Sequence, residues 1–261
     1  QVDPYEIKRN GEKMMYQLFR IIQRDTMNLL TNPMWIFFSL MYPILLVAVL
    51  GFLTGGLYGD YFTSYDYYGV TLLLFSTMYA ATFSANSFME EKIKKANLRI
   101  VYSPIRNWFI PFSKGIAAFL FTTVFYSIAA VICQLLFQIR FGDEKLLQIW
   151  LLFIGMNLLF SCIGVLMCCI FKSEGVANQI LSILTVALAM FSGFLFQVAN
   201  LGESFVKISN WLPTTKVAQT IFEMIYDQNS SNFSSVLLML VAFSILILAV
   251  SMFLFNGEEY V

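Results

Sequence analysis

Few side chains in this 261-residue sequence could do chemistry, and what is absent narrows the options first. There is no histidine, so the commonest general acid–base group and the base of a Ser-His-Asp triad are both missing. Cys133, Cys162, Cys168 and Cys169 all lie inside apolar runs. A metal site there would need thiolates in hydrocarbon, so these cysteines read as small buried hydrophobes. No GxxxxGK[ST] phosphate loop occurs, and no HExxH, GxSxG or CxxC. The chain is therefore expected to have no catalytic residue, no metal and no cofactor of its own.

One dense cluster of charge remains. FMEEKIKKANLRIVYSPIRNW, residues 88–108, holds five of the sixteen Lys and Arg residues in a chain that is 59% hydrophobic. Met89, Ile93, Ala96 and Ile100 recur at helical spacing, with Glu90, Glu91, Lys92, Lys94, Lys95 and Arg99 around them. Tyr102-Ser103-Pro104 should end this helix, and Trp108 and Phe109 mark a return to headgroup level. A loop that only sets topology needs the cations but not the two glutamates. Both signs together suit a protein–protein contact, where complementary charge selects partner and register.

The elements that must position this cluster are membrane spans. Only 12% of residues are charged, about half the 25% typical of soluble domains. Zero net charge gives no reason to expect a nucleic-acid partner. Crossing a hydrocarbon layer of roughly 30 Å takes about 20 apolar residues as a helix. Six stretches qualify, at about 34–54, 68–88, 115–137, 147–171, 176–197 and 235–255, and none of these windows contains Asp, Glu, Lys or Arg. Pro43 lies mid-span and should kink the first helix. Residues 1–13 are polar and do not read as a signal peptide, while Gln1 in place of Met suggests that residues precede it.

Basic residues set the expected orientation. Lys8, Arg9, Lys13, Arg20, Arg24, Lys92, Lys94, Lys95, Arg99, Arg106, Lys114 and Lys172 fall on one side, and Arg140, Lys145, Lys207 and Lys216 on the other. Both termini and the 89–114 connection are thus expected in the cytoplasm of a multi-pass cell-membrane protein. The short loops favour a bacterial membrane.

Two further connections have amphipathic character. In MMYQLFRIIQRDTMNLL, residues 14–30, an apolar stripe of Met15, Phe19, Ile22, Leu29 and Leu30 leaves Arg20, Arg24 and Asp25 off it. Asn32-Pro33 ends that helix, which either anchors at the membrane surface or also contacts a partner protein. Residues 198–234 hold two amphipathic pieces split at Leu212-Pro213, with Val217, Ile221, Met224 and Ile225 on one face of the second. They form either a re-entrant outer hairpin or a pair of surface helices. The sequon matches at Asn229 and Asn232 are better explained by turn chemistry.

The spans also bear on the energy source. Proton relays and many ion-coupled carriers place ionisable residues inside the membrane, at about 2.5–3.5 kcal/mol each. These windows have none. Asn86, Asn157, Asn178 and Gln179 are the main amides near or within spans, expected to join helices through hydrogen bonds of roughly 0.6 kcal/mol each. Energy for uphill movement would then enter from outside the membrane, at the charged helix.

This layout resembles the membrane (permease) subunit of a type-2 ABC exporter. The likeness rests on the amphipathic first helix, the proline-containing span SLMYPILLVAVLGFL, the charged helix after the second span and the Leu-Pro outer segment before the sixth. In that family the connection after the second span has an acidic start, matched by Glu90 and Glu91, and a Thr/Ser-Pro close, matched by Ser103-Pro104. Lys114 matches the basic residue leading into the third span, while Lys95-Ala96-Asn97-Leu98 replaces the frequent Gly-Thr-Leu. The resemblance implies an all-α, polytopic fold with six transmembrane helices, an N-terminal interface helix, a cytoplasmic coupling helix and an outer re-entrant hairpin.

It further implies a homo- or heterodimer of permease protomers, surrounded by membrane lipids and carrying two copies of a separate cytoplasmic ABC ATPase that binds ATP and Mg. Glu90, Glu91, Lys92, Arg99, Ser103 and Pro104, with Arg20 and Arg24, would form the ATPase-coupling interface, and Leu212 and Pro213 the turn of the outer hairpin. The 17% aromatic content, with 27 Phe, suits amphipathic or lipid-like cargo such as an antibiotic, peptide or lipid. RDTMNLLTNPMWIF looks more like drug and antibiotic exporters, linked to antibiotic resistance, than polysaccharide exporters. The alternatives are an ion-coupled secondary transporter or channel, or a non-transporting immunity or assembly protein.

Overall fold

Apolar runs of membrane-spanning length and amphipathic connections both point to helices, and the computed structural model, which describes residues 4–57, 59, 62–89, 108–196 and 202–255, is helical accordingly. Helix α1, Pro4–Leu30, runs to Asn32, whose side chain accepts from the Met34 N–H and caps α2, Pro33–Leu53. Helices α3 (Ser64–Phe88), α4 (Phe109–Phe137), α5 (Leu146–Phe171) and α6 (Glu174–Phe191) follow. After them come α7, Glu203–Trp211, α8, Pro213–Tyr226, and α9, Phe233–Leu254. Six of these, α2 to α6 and α9, are long and apolar enough to cross a membrane. The charged residues Glu90, Glu91, Lys92, Arg99, Ser103 and Pro104 lie outside the described residues.

Burial separates a central helix from peripheral ones. In the most apolar stretch of α3, 89% of residues are buried, against 22% in α2, α6 and α9. Helix α3 packs on α2, α4, α5 and α6, while α5 holds α9 on another face. This fits composition: α3 carries the small and polar Gly69, Thr71, Ser76, Thr77, Ser84 and Asn86, which suit a protein surround, whereas α9 is Leu- and Ile-rich.

Two helices are not regular. In α2 a π-helical turn covers Phe37–Met41, and the Tyr42 N–H reaches back to the Phe37 carbonyl. The Pro43 ring, with no N–H of its own, is thereby accommodated by a widened turn. In α3 the α-helical pattern is interrupted at Tyr79, whose N–H turns to the Ser76 carbonyl. Ser76 and Thr77 hydroxyls bond back to the Leu72 and Leu74 carbonyls, at 2.8 Å and 2.7 Å, an arrangement that bends helices.

The helices agree with the spans expected from sequence, with two differences. Helix α6 stops at Phe191 rather than near residue 197, and Gly193, at φ +78°, takes the chain out of the helix. Helices α3 and α4 begin several residues earlier than the apolar windows, bringing Asp66 and Lys114 inside them. The windows are free of charge, but the helix ends are not.

Those ends are pinned by polar contacts. At the end away from α1, Asp66 forms a capping box with Thr63 and accepts the Arg140 backbone N–H at 3.0 Å. Ser64 Oγ donates to the Gly51 carbonyl at 2.7 Å, and Tyr67 Oη to the Gly193 carbonyl. Helix α8 packs into this end against α3, α5, α6 and α9, with Val217, Ile221, Met224 and Ile225 all buried on the face expected from sequence. Leu212 is extended and caps both α7 and α8, with Pro213 at the first position of α8. Asn229 accepts the Ser231 N–H at 3.0 Å, the turn chemistry expected there.

Helices α3 and α5 meet backbone to backbone at Gly164. A Cβ built there would lie 2.1 Å from the Ala81 carbonyl oxygen, so only glycine permits the approach. Nearby, Cys168 Sγ sits 3.6 Å from the Ala85 carbonyl oxygen. Gly164→Ala should therefore destabilise the chain by about 1–3 kcal/mol through overpacking. Gly164→Leu should abolish the folded monodisperse form, while Gly175→Ala, where nothing lies within 4 Å, should change neither. Denaturation in detergent with size-exclusion analysis checks both.

Candidate functional site

The described part of the expected coupling surface is α1, and its placement depends on which residues share its inner face. Asp25 and Leu29, one turn apart, are both buried, at 4% and 1% exposure. Leu29 packs with Phe83, Ala118, Phe121 and Tyr126 from α3 and α4. Asp25 meets Lys114, one turn inside α4. Lys114 Nζ donates to Asp25 Oδ1 at 2.5 Å, with side-chain exposures of 0% and 5%. Ser113 Oγ lies 3.4 Å from Asp25 Oδ2 and also donates to the Ile110 carbonyl at 3.0 Å. Burial pushes the Asp25 carboxyl above the ordinary carboxylate range, and the Lys114 ammonium opposes that rise.

The other side of α1 is open. Arg20 and Arg24 are exposed, with Arg20 Nε donating to Tyr16 Oη at 2.9 Å and its guanidinium 5.2 Å from the Tyr16 ring centre. Met15 and Phe19, assigned by sequence to one apolar stripe with Ile22 and Leu29, are 74% and 64% exposed. The stripe is therefore divided between two faces. Helix α1 offers a mixed surface of two cations and several large apolar groups, backed by an ion-paired attachment to α4.

Of the sequence-selected residues, Arg20 and Arg24 share this open surface, and Leu212 and Pro213 sit at the opposite end of the molecule. Asp25 was placed by the sequence on the polar side of α1 with the two arginines, and the structure corrects that. Spacing held the missed signal: Asp25 follows Ile22 by three positions and precedes Leu29 by four, which places an acid on the packing face.

Neutral amides join the spans as expected. Asn178 Nδ2 of α6 donates to Asn86 Oδ1 of α3 at 2.6 Å. Asn157 of α5 accepts from Thr122 Oγ1 at 2.9 Å and donates to Thr123 Oγ1 at 2.8 Å, both on α4. Gln179 is exposed and is not among these contacts. The four cysteines are free and buried, as expected, and no cluster of three or more metal-ligating side chains occurs among the described residues.

A buried ion pair is destabilising to break and often neutral to replace by apolar groups. Lys114→Met should cost about 3–5 kcal/mol by leaving Asp25 buried without its counter-charge. The double variant Asp25→Leu with Lys114→Met should recover most of that loss. Unfolding measurements on the wild type, both single variants and the double variant give the coupling energy directly.

No curated protein matches the chain. The family model described as ABC-2 family transporter protein matches residues 57–253, from just before α3 to the end of α9, and covers all the described spans but α2. Well over half of the chain is matched, over the helices whose packing was set out above, so the chain belongs to the ABC-2 transporter family.

Proposed function

We propose that this chain is the permease subunit of an ATP-driven exporter that moves an amphipathic or lipid-like molecule, such as an antibiotic, peptide or lipid, out of the cell. ABC-2 membership implies partnership with an ABC ATPase in general. In the proposed assembly two permease protomers carry two ATPase copies, which bind ATP and Mg on the cytoplasmic side. Both termini and α1 lie on that side, in keeping with the twelve basic residues gathered there.

The observation that carries this proposal is the clamp between α1 and α4. A surface on which an ATPase pushes must be joined rigidly to a span, or its displacement dissipates in the loop. The Asp25–Lys114 pair supplies such a joint, and the open face of α1 presents Arg20 and Arg24 for contact. Glu90, Glu91, Lys92 and Arg99 would complete that surface, with Ser103-Pro104 closing its helix. At the opposite end, α7 and α8 would form the hairpin that closes the exit. The depth to which α8 packs among α3, α5, α6 and α9 supports a re-entrant position over a surface-lying one.

The test is charge reversal on the coupling surface. Co-expressed with its ATPase, the variant Glu90→Lys with Glu91→Lys should insert normally but lose export while hydrolysis continues, a drop of tenfold or more in substrate moved per ATP. Unchanged export would remove these glutamates from the coupling surface. Ion-gradient-driven flux in liposomes holding only this chain would replace the exporter by a secondary carrier.

A further inference from the structure

Helices α4 and α5 do not close completely along the half of the bundle remote from α1. A cavity of about 330 Å³ opens between them, within the roughly 300–1,000 Å³ of small-molecule sites. Val131, Leu147 and Trp150 at its margin are 55%, 67% and 41% exposed, so it opens sideways where a bilayer would lie. Leu73 of α3 and Phe153 and Ile154 of α5 give it apolar walls, and no charged side chain stands among the described residues that line it. Trp150 Nε1 donates to Ser127 Oγ at 3.0 Å and ties the two helices across it.

Thr77, Thr123, Tyr126, Ser127 and Asn157 bring polar groups to this slot. Thr77 Oγ1 donates to the Leu74 carbonyl, Ser127 Oγ to the Thr123 carbonyl, and Asn157 is held by Thr122 and Thr123 of α4. Tyr126 differs from these. The residue is 7% exposed, and its hydroxyl has no hydrogen-bond partner among the described residues. Tyr126 lies eleven residues before the last residue of α4, and Asn157 eleven after the first of α5. At about 1.5 Å per residue both stand about 16 Å in, near the middle of the roughly 30 Å hydrocarbon layer. Acyl chains reach that depth but carry nothing that accepts the Tyr126 proton, so a filling of lipid tails leaves the hydroxyl unsatisfied. A bound molecule with one oxygen acceptor satisfies it.

We propose that this cavity binds an uncharged, mostly apolar small molecule that enters from the bilayer and accepts a hydrogen bond from Tyr126 Oη through one carbonyl or hydroxyl oxygen. Its neutrality follows from the lining: an ion there would meet no counter-charge, and an unpaired buried ion costs far more than one hydrogen bond returns. Its apolar body lies against Leu73, Phe153 and Ile154. Specificity comes from Tyr126, because an analogue without the oxygen leaves that hydroxyl buried and unpaired. The site depends on the cavity and not on transport, so it is tested apart from the exporter reading.

The experiment uses the full chain in its native membrane assembly, reconstituted in phosphatidylcholine vesicles, with benzophenone as the probe. Benzophenone is uncharged and apolar apart from one carbonyl, and on irradiation the carbonyl carbon bonds to a neighbouring C–H carbon. Label mapped by peptide mass spectrometry should saturate, and should fall on Leu73, Tyr126 and Ile154 several-fold more than on Leu238 and Ile245 of α9, which are 69% and 63% exposed. Diphenylmethanol, which keeps an oxygen, should displace it at about one-tenth of the membrane concentration needed of diphenylmethane, which has none. Tyr126→Phe removes only the unpartnered oxygen, so it should leave the fold intact on size-exclusion analysis. It should also raise the half-saturating concentration of benzophenone about tenfold and erase the difference between the two competitors. Ala130→Phe should plug the slot, whereas Val124→Phe, at a 56% exposed position of the same helix, should not. Label spread evenly over lipid-facing positions, competitors of equal strength against the wild type, or saturation unchanged in Tyr126→Phe would each overturn the site. So would a slot left unlabelled because an acyl chain or a second protomer fills it.

Discussion

Everything on the α1 side of the molecule depends on a carboxylate and an ammonium placed where neither could stay alone. An unpaired charge in a site of 0–5% side-chain exposure costs several kcal/mol, more than most single contacts return. The pair is therefore a constraint before it is a source of stability. Asp25 can be buried only where Lys114 meets it, so the rotation of α1 about its own axis and its height along α4 are both fixed. Leu29, one turn on, then falls against Phe83, Phe121 and Tyr126, and the apolar contact reinforces what the ion pair has set. Turning α1 by a third of a turn would expose Leu29 and strand both charges.

A second constraint sits at the opposite end, where Asp66 plays a comparable part with different chemistry. Its carboxylate is satisfied by backbone N–H groups and a hydroxyl instead of a cation, and it joins the start of α3 to the end of α4 through Arg140. Tyr67 and Ser64 fasten the same turn to the segments after α6 and at the end of α2. Beyond its first turn the central helix is held, among the described residues, by neutral contacts: the Gly164 approach, the Asn86–Asn178 bond and close packing on α5. Helix α3 is thus fixed at its first turn and largely buried along its length, while α2, α6 and α9 keep most of their apolar faces outward.

Sequence alone was a good guide to the spans because burial in hydrocarbon imposes a length and a composition that each helix must meet by itself. The inner face of α8 was equally legible, since four apolar residues at helical spacing have only one side to hide. What sequence did not disclose depends on pairing between distant elements. Asp25 and Lys114 are 89 positions apart, and each looks like an ordinary interfacial charge until the other is placed beside it. An apolar stripe on α1 gave no warning that Met15 and Phe19 would face out while Asp25 faced in, because the stripe was drawn from apolar residues only. The end of α6 was overrun for a similar reason: Gly193 breaks the helix by conformation, and hydropathy does not register it. The coupling residues 90–104 were read from charge pattern and resemblance, and they lie outside the described residues.

The distribution of polar groups also bears on how such a molecule could move. The ionic contact among the described residues, Asp25–Lys114, is stiff and direction-specific in its low-dielectric setting, and it stands at a helix end, where force would be received. In the middle of the α4–α5 pair the contacts are amide to hydroxyl, of the kind that contributes roughly 0.6 kcal/mol each in membranes and can exchange partners cheaply. Helix α2 carries its π turn and α3 its Tyr79 break at positions where the backbone has already given up regular hydrogen bonding. Rigid ends with yielding middles favour rotation and bending of whole helices over sliding at the clamp. Displacement of α1 would then pass undiminished into the first turn of α4 and be spread along α3 and α5, where small residues and neutral bonds let the helices change their angle without uncovering a charge.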